Sequence, residues 1–318
     1  MMRRILIIAS GGGHSGFARA IAQYLPFKAD FVVPTGDTFT LEMVKPYAER
    51  VYYVVKGREP GEPLMKLFFA IPEAVEESFK IPRYDVVVAT GSNHSVFPSA
   101  VQRIKGAEVY VVESQDRFTR PGKAVKLIST FSEHVFLHWE EQRRLYGRKG
   151  LVVGPIVEKP RYQPRDEGYL LVTTGSMGFM RLYKALASLG LDDVVVQTGR
   201  VDPSEVQKLN PKWRVFQFDP DIERWISGAS AVITHQGKTA MESVVMYGKP
   251  TIIVYNRDWR SATTIEDART YAEVLGAEFL DDPLTWGSTL ELKRALDERR
   301  RPKRFEIGTP KLVDEILK

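Results

Sequence analysis

The most constraining feature of the sequence is the stretch 231–255, in which two apolar runs flank a polar turn and a helical segment. Residues 231–234 are mostly β-branched and apolar, as in a buried strand. The polar turn 235–238 follows, and the helical segment 239–247 ends at a glycine and a proline, which commonly close helices. Residues 251–255 form a second apolar run. This order predicts neighbouring parallel strands with a ligand site at the polar turn.

The helix after this turn has the chemistry of an anion site. The first N–H groups of a helix have no partner within the helix, and they attract phosphate. Glu242 follows Thr239 by three positions, about one helical turn, so its carboxylate can face the same ligand. The alternative is that Glu242 only offsets the helix dipole.

A similar unit opens the chain. An apolar run at 4–9 leads into Ser10-Gly-Gly-Gly-His-Ser-Gly16 and a helical pattern at 17–25. Consecutive glycines let a ligand approach the backbone closely. Their spacing also fits the dinucleotide fingerprint, but His14 and Ser15 occupy positions that would touch the pyrophosphate. We therefore expect no nicotinamide, flavin or other cofactor.

Apolar runs alternate with helical segments along the rest of the chain, and a linker divides them. The stretch 158–165 holds three prolines among mixed charges, which is typical of an interdomain segment. We predict an α/β fold of two Rossmann-like domains with mostly parallel sheets facing across a cleft, at 1–155 and 156–318. The last helix, at 310–317, is expected to be able to pack back on the first domain.

Composition narrows the class of protein. Of the 318 residues, 43% are hydrophobic and 27% charged, and cysteine is absent, which excludes disulfides and cysteine metal sites. Asparagine is scarce, as in thermophilic proteins. The net charge of +5 is too small and dispersed for a nucleic-acid-binding protein, but it allows attraction to phosphorylated substrates. No apolar run is long enough to span a membrane, and we predict a cytoplasmic protein.

The segment 64–80 allows two interpretations. Residues 64–71 are strongly apolar, and 73–80 continue as an amphipathic helix. The helix could belong to the core. Alternatively, its apolar face could enter a lipid interface beside Lys66 and Lys80, which predicts peripheral membrane contact.

With both halves in view, the chain resembles glycosyltransferases of the two-Rossmann (GT-B) type, more narrowly the MurG-like branch. It also resembles the two-subunit eukaryotic enzyme that adds the second N-acetylglucosamine to dolichol-diphosphate-GlcNAc, with both halves on one chain as expected in archaea. The motifs are Gly11–Gly16, Val112-Glu-Ser114 and 136–140 on the acceptor side, and 172–176 and 235–250 on the donor side. The turn at 235–238 departs from the usual His-Gly/Ala-Gly pattern, and 263–267 stand where relatives carry Asn-His-Gln.

The resemblance implies an inverting, metal-independent transfer of N-acetylglucosamine from UDP-GlcNAc to a lipid-diphosphate-linked sugar. The departing UDP would be stabilised by the backbone amides of Gly175, Ser176 and 235–237 at helix N-termini and by Lys238, with Glu242 on the ribose hydroxyls. The expected donor-binding residues are Thr174, Gly175, Ser176, His235, Gln236, Gly237, Lys238 and Glu242. The expected acceptor-binding residues are Gly12, Gly13, Ser15, Asn93 and His94.

Inversion also requires a general base on the acceptor hydroxyl. Glu113 at a strand end is the first candidate and His14 the second. Each also has a purely structural alternative: Glu113 could be an ion-paired strand end, and His14 could be a turn residue with no chemical role. His14 could instead contact the diphosphate of the acceptor. Two other functions fit the architecture: a UDP-GlcNAc 2-epimerase, and a non-catalytic nucleotide-sugar-binding subunit.

Overall fold

The computed structural model describes residues 3–57, 64–260 and 262–318. Within these ranges the strands are β1 (Ile5–Ile8), β2 (Ala29–Pro34), β3 (Ala48–Val54), β4 (Val86–Ala89), β5 (Glu108–Val112), β6 (His134–Leu137), β7 (Gly150–Val152), β8 (Leu170–Thr173), β9 (Val194–Gln197), β10 (Arg214–Phe216), β11 (Ala231–Thr234), β12 (Thr251–Val254) and β13 (Glu278–Leu280). The α-helices are α1 (Gly13–Tyr24), α2 (Thr38–Val44), α3 (Leu64–Lys80), α4 (Val96–Ile104), α5 (Lys123–Ser129), α6 (Met180–Ala187), α7 (Pro203–Gln207), α8 (Ile222–Gly228), α9 (Lys238–Val245), α10 (Ile265–Leu275), α11 (Leu290–Glu298) and α12 (Thr309–Leu317).

Two parallel sheets organise these elements. The first has seven strands in the order β3-β2-β1-β4-β5-β6-β7, and the second has six in the order β10-β9-β8-β11-β12-β13. Every strand pair in both sheets is parallel. The predicted fold class of two α/β domains with parallel sheets is confirmed.

The chain divides into two compact units. Unit 1 comprises 1–159 and 307–318, and unit 2 comprises 160–306. The last helix, α12, packs against α1 within unit 1. Thr309 fixes this return, because its hydroxyl donates to the carbonyl of Val157 at 2.7 Å. The boundary therefore lies a few residues after position 155, and the chain crosses between the units twice.

Apolar runs form the central strands because each is covered on both faces. All four residues of β1, β4, β8, β11 and β12 are buried. Fully burying a valine or isoleucine side chain contributes about 1.5–3 kcal/mol, which gives these runs their preference for the sheet centre. The expectation missed β13, a three-residue strand at the sheet edge whose residues are only partly buried.

The apolar segment 64–80 forms one helix, α3, with Pro72 inside it. Phe69 is 77% exposed and Phe79 51% exposed, so part of its apolar side is not covered by the core. The side chain of Lys66 lies outside the described residues. In the part of the chain that the structure describes, no helix has the length and hydropathy needed to cross a bilayer.

The loops after β8 and β9 approach so closely that only glycine fits between them. A Cβ on Gly199 would lie 2.5 Å from the carbonyl oxygen of Gly175, and a Cβ on Gly178 would lie 2.3 Å from that of Thr198. Both glycines have positive φ angles. The amide of Arg200 also donates to the carbonyl of Ser176 at 2.8 Å. The turn after β8 is thereby locked to its neighbour.

This lock predicts a difference between two Gly→Ala variants. Gly190 has a similar φ of 67° but nothing near its Cβ position. We expect Gly190→Ala to lose about 1–2 kcal/mol of unfolding free energy from backbone strain alone. Gly199→Ala should lose a further ~1–3 kcal/mol from the forced contact. Thermal and denaturant unfolding of both variants measures the difference, and equal losses would show that the loops can separate freely.

Candidate functional site

The predicted acceptor-side loops lie together at the carboxyl edge of the first sheet. Strands β1 and β4 are neighbours, so the loops that follow them lie side by side. Ser10 Oγ lies 2.6 Å from Ser92 Oγ, and Nδ1 of His14 lies 2.5 Å from the carbonyl oxygen of Thr90. These two contacts join the glycine loop to the loop after β4.

The glycine loop leads directly into an uncapped helix. Helix α1 begins at Gly13, four residues earlier than its apolar pattern indicates, because Gly12 adopts a φ of 73° that turns the chain sharply. No side chain caps this end, and its first turn carries no acidic residue. Gly12 and Gly13 are exposed. The first N–H groups are therefore available to an anion, with the helix dipole favouring negative charge.

His14 is held in a geometry suited to a base. Because a carbonyl oxygen can only accept, Nδ1 of His14 carries the hydrogen of the Thr90 contact and Nε2 keeps its lone pair. Burial lowers the pKa of His14, the bond to Thr90 opposes this, and the charges of Lys56 and Arg117 lower it further. The imidazole is consequently neutral near pH 7 and can take a proton at Nε2.

Glu113, the first candidate for the base, is fully buried and already bound on both oxygens. Oε1 accepts from the amide of Ser114 at 2.7 Å, and Oε2 accepts from the amide of Gly122 at 2.8 Å and from the hydroxyl of Tyr146. Burial raises its pKa, and these three donors and Arg117 lower it. The carboxylate bridges the ends of the loop 114–122, which is a structural position. A role as base would require breaking one of these bonds, and that role stays a prediction.

The other predicted acceptor residues differ in what they can offer. The hydroxyl of Ser15 is buried, donating to the carbonyl of Ser10 at 2.9 Å and lying 2.7 Å from Thr40 Oγ1. His94 is buried, with Nε2 3.1 Å from the carbonyl of Val54, and burial lowers its pKa to about 4. Asn93 is exposed beside it. Asn93 is thus the accessible member, whereas Ser15 and His94 face inward.

His94 and Asn93 also line a small recess. Its other walls are apolar and come from the end of β3, from α3 and from α4: Val55, Gly57, Ala70, Ile71, Ala74 and Phe97. The Nδ1 atom of His94 is buried and has no partner among the described residues. The recess has room for little more than a water-sized group.

The donor-side residues lie at the carboxyl edge of the second sheet, on two neighbouring strands. Strand β8 leads into 174–178 and β11 into 235–237. Thr174 is buried, with its hydroxyl 2.8 Å from that of Tyr183, so it supports the turn from below. Gly175 and Ser176 precede the start of α6 by several residues, because two positive-φ glycines turn the chain first. Their amides therefore belong to a turn, not to a helix end as expected.

His235 packs between two glycines. Its Cε1 lies 2.9 Å from the Cβ position of Gly175 and 2.8 Å from that of Gly237, so neither position tolerates a side chain while His235 stays in place. Burial lowers the pKa of His235 to about 4, so the ring is neutral. Nδ1 is buried without a partner among the described residues. This leaves a hydrogen-bonding atom unused at the edge where a ligand is expected.

Gln236, the departure from the usual turn pattern, has a structural task. Its amide nitrogen donates to the carbonyl of Asn256 at 3.0 Å, and its oxygen accepts from the amide of Asn256 at 2.9 Å. This reciprocal pair extends the β11–β12 contact beyond the strands. Both polar atoms of the Gln236 side chain are therefore used within the protein, and only its backbone groups remain to bind the sugar donor.

Helix α9 begins at Lys238 without a side-chain cap and without an acid in its first turn. Lys238 and Glu242 form an ion pair one turn apart, and their side chains are only 7% and 14% exposed. Glu242, whose carboxylate is expected to bind the ribose, is thus already paired with the ammonium group of Lys238. The helix dipole disfavours a cation at this N-terminal position, and the ion pair with Glu242 offsets that cost.

Sequence reasoning missed several residues that build the site. Tyr146 and Gly122 hold Glu113 from 33 and nine positions away, and no local pattern marks them. Gly199 was detectable, since Thr198-Gly199 follows β9 as Thr174-Gly175 follows β8. No cluster of three or more His, Asp or Glu side chains in the described ranges could hold a metal ion. Metal independence stays a prediction.

Comparison with known proteins agrees with this architecture. Residues 169–306 match the glycosyltransferase family 28 C-terminal domain. A protein of Caldicellulosiruptor saccharolyticus named UDP-N-acetylglucosamine–N-acetylmuramyl-(pentapeptide) pyrophosphoryl-undecaprenol N-acetylglucosamine transferase is 24% identical, over 99% of this chain and 96% of its own length.

Solved structures share the fold along both units. MurG of Acinetobacter baumannii superposes with a TM-score of 0.65 at 17% identity, covering 99% of each chain. The UDP-GlcNAc 2-epimerase of Neisseria meningitidis gives a TM-score of 0.64 at 12% identity, covering 93% of this chain and 90% of its own. The resemblance to the eukaryotic two-subunit enzyme stays a prediction. The chain is a glycosyltransferase with a MurG-like GT-B fold.

Proposed function

We propose that the chain transfers N-acetylglucosamine from UDP-GlcNAc to a lipid-diphosphate-linked sugar, with inversion and without a metal ion. The observation that carries this is that each unit combines an uncapped, acid-free helix start with a neutral histidine beside it at the carboxyl edge of its sheet, α1 with His14 in unit 1 and α9 with His235 in unit 2. Two such anion seats match a reaction between two diphosphates, the lipid-linked acceptor and the nucleotide donor. The function in the name of the Caldicellulosiruptor relative is of the same kind.

In this proposal unit 2 holds the donor. The amides of 235–237 and the start of α9 face the diphosphate, and neutral His235 contributes its unused Nδ1. Glu242 accepts the two ribose hydroxyls, and Lys238 turns from Glu242 to the phosphates as the donor enters. Positive charge and fixed N–H donors then stabilise UDP as the sugar–phosphate bond breaks.

Unit 1 holds the acceptor, with its diphosphate at Gly12, Gly13 and the start of α1. His14 removes the proton of the attacking hydroxyl at Nε2 as that oxygen bonds to the anomeric carbon, from the side opposite the departing UDP. The geometry favours His14 over Glu113, since Nε2 has a lone pair and the Glu113 oxygens are occupied. The acceptor lipid would be a polyprenol of the dolichol or undecaprenol class.

Replacing His14 tests the base. We expect His14→Ala to reduce kcat by about 10²–10⁴-fold, the usual contribution of a general base, without raising the KM for UDP-GlcNAc. Because the pKa of His14 is lowered, wild-type kcat/KM should stay on its plateau as the pH falls through 6.5 and decline only below it. Rates with a synthetic lipid-diphosphate-GlcNAc acceptor measure both effects.

Glu113→Gln serves as the comparison for this prediction. Glutamine keeps an acceptor at the loop bridge but cannot act as a base, so we expect a much smaller loss of kcat than for His14→Ala. The opposite ranking would return the role of base to Glu113. Conversion of UDP-GlcNAc to its C2 epimer without any acceptor would instead favour the epimerase alternative.

Replacing Glu242 tests the donor site. Glu242→Gln removes the charge that accepts two hydroxyls, and we expect the KM for UDP-GlcNAc to rise by about tenfold or more, as for loss of a charged hydrogen bond. The matched control is Glu273→Gln, an exposed glutamate on α10. The KM of the control should match the wild type. Equal donor KM values in all three proteins would remove Glu242 from the donor site.

We also propose that α3 contacts the cytoplasmic face of the cell membrane. The exposed rings of Phe69 and Phe79 lie on this helix, and Lys80 and Lys105 lie near Phe79 at its C-terminal end. Aromatic side chains flanked by lysines are typical of interfacial helices. This contact would bring unit 1 to the lipid-linked acceptor.

Vesicle binding tests this contact. Phe69→Glu should weaken sedimentation with anionic phospholipid vesicles by about tenfold or more, from the ~1.5–3 kcal/mol of a buried aromatic side chain. Leu290→Glu is the matched control, because Leu290 is 64% exposed on α11 in unit 2. The control should bind as the wild type does. If both variants bind alike, α3 is not the contact surface.

A further inference from the structure

The loop after β5 carries an arginine to which neither the motifs nor the described contacts give a role. We propose that Arg117 binds the diphosphate of the acceptor in unit 1 and positions the acceptor hydroxyl against Nε2 of His14. The inference rests on the proposed function for the identity of the substrate. It adds a positioning residue that lies outside both glycine loops.

The backbone that carries Arg117 is fixed by the segment 138–144. Side chains of this segment donate hydrogen bonds to five carbonyl groups of the loop, those of residues 113–115, 117 and 118. The pairs are His138 Nε2 to Glu113 at 3.0 Å, Gln142 Nε2 to Ser114 at 2.8 Å and to Arg117 at 3.0 Å, Trp139 Nε1 to Gln115 at 2.8 Å, and Arg144 to Phe118 at 3.2 Å. A loop held this way presents its side chains in a defined place.

The side chain of Arg117 has no assigned partner. It is partly buried, and it forms no hydrogen bond or ion pair with any described residue. The charge of Glu113 acts on Arg117, but the Glu113 oxygens are hydrogen-bonded to Ser114, Gly122 and Tyr146 and not to the guanidinium. A guanidinium offers five N–H donors in a planar fork that matches phosphate. A partly buried, unpaired fork of this kind is suited to an anionic ligand.

The loop that carries Arg117 begins beside the proposed base. The Cβ position of Gly91 is 2.9 Å from Cε1 of His14 and 3.5 Å from the carbonyl oxygen of Val112, so the imidazole lies beside the end of β5. The charge of Arg117 reaches it, since that charge lowers the pKa of His14. A phosphate bound by Arg117 would therefore lie close to both the imidazole and the start of α1.

Two cations, Arg117 and Lys56, act on His14, and the two carboxylates at the same edge, Asp37 and Glu113, already accept hydrogen bonds within the protein. Lys56 lowers the pKa of His14 and of His94, so a second cation stands on the same edge of the sheet. The uncapped start of α1 adds partial positive charge. A diphosphate diester carries two negative charges and is long enough to interact with more than one of these positive groups. A carboxylate carries one negative charge and would interact with fewer of them.

Steady-state kinetics separate this role from a structural one. We expect Arg117→Met to raise the KM for a lipid-diphosphate-GlcNAc acceptor by ~10–100-fold, the range for loss of a charged hydrogen bond. The KM for UDP-GlcNAc and the melting temperature should not change, and Arg117→Lys should recover part of the acceptor affinity. Arg120→Met is the matched control, an exposed arginine in the same loop, and should keep the acceptor KM within about twofold.

The outcomes distinguish the inference from the function on which it rests. If the wild type transfers sugar and Arg117→Met keeps its acceptor KM, the inference is wrong and the proposed function stands. A rise in the donor KM alone would place Arg117 at the donor and also overturn it.

A second measurement decides the case in which no acceptor is turned over. Calorimetric titration with inorganic pyrophosphate, at saturating UDP to fill the donor site, should show binding to the wild type that Arg117→Met weakens at least tenfold. Equal binding by the two proteins would overturn the inference whatever the reaction is.

Discussion

The site depends on two helix starts that the protein leaves uncapped. An ordinary helix satisfies its first N–H groups with a Ser, Thr, Asp or Asn side chain, as Asp37 does for α2 and Thr264 does for α10. Helices α1 and α9 begin after Gly12 and Gly237 instead, and like α4, α5 and α6 they have no cap and no acid in the first turn. Leaving these groups unpaired costs stability, and an anionic ligand that binds there recovers it.

Glycine makes room for a neutral histidine beside each helix start. In unit 1 the ring of His14 lies against Gly91, and in unit 2 the ring of His235 lies against Gly175, with 2.9 Å from Cε1 to the glycine Cβ position in both cases. The construction differs in one respect. The Thr90 carbonyl fixes the tautomer of His14, whereas Nδ1 of His235 has no partner among the described residues. The first arrangement suits proton transfer, and the second suits a ligand contact.

The ion pair of Lys238 and Glu242 stabilises a charge that would otherwise be costly. The carboxylate neutralises a buried cation at a helix start, where a cation is otherwise unfavourable. In the proposed function, the donor would supply phosphates for the lysine and hydroxyls for the carboxylate at once. Exchange of partners keeps both charges neutralised, so neither is left buried alone while the donor enters.

The sequence by itself determined the two sheets and the loops that carry the site, because apolar β-branched runs followed by glycine turns have few other ways to bury their side chains. It placed His14 and His235 in the loops that follow two strands and Glu242 one turn into the helix after the second of them, since those positions follow directly from the order of elements. Only the tertiary structure decided how each is used. The partners of Glu113 and the unpaired state of Arg117 depend on contacts between residues distant in the chain, and such contacts leave no periodic signal in a single sequence.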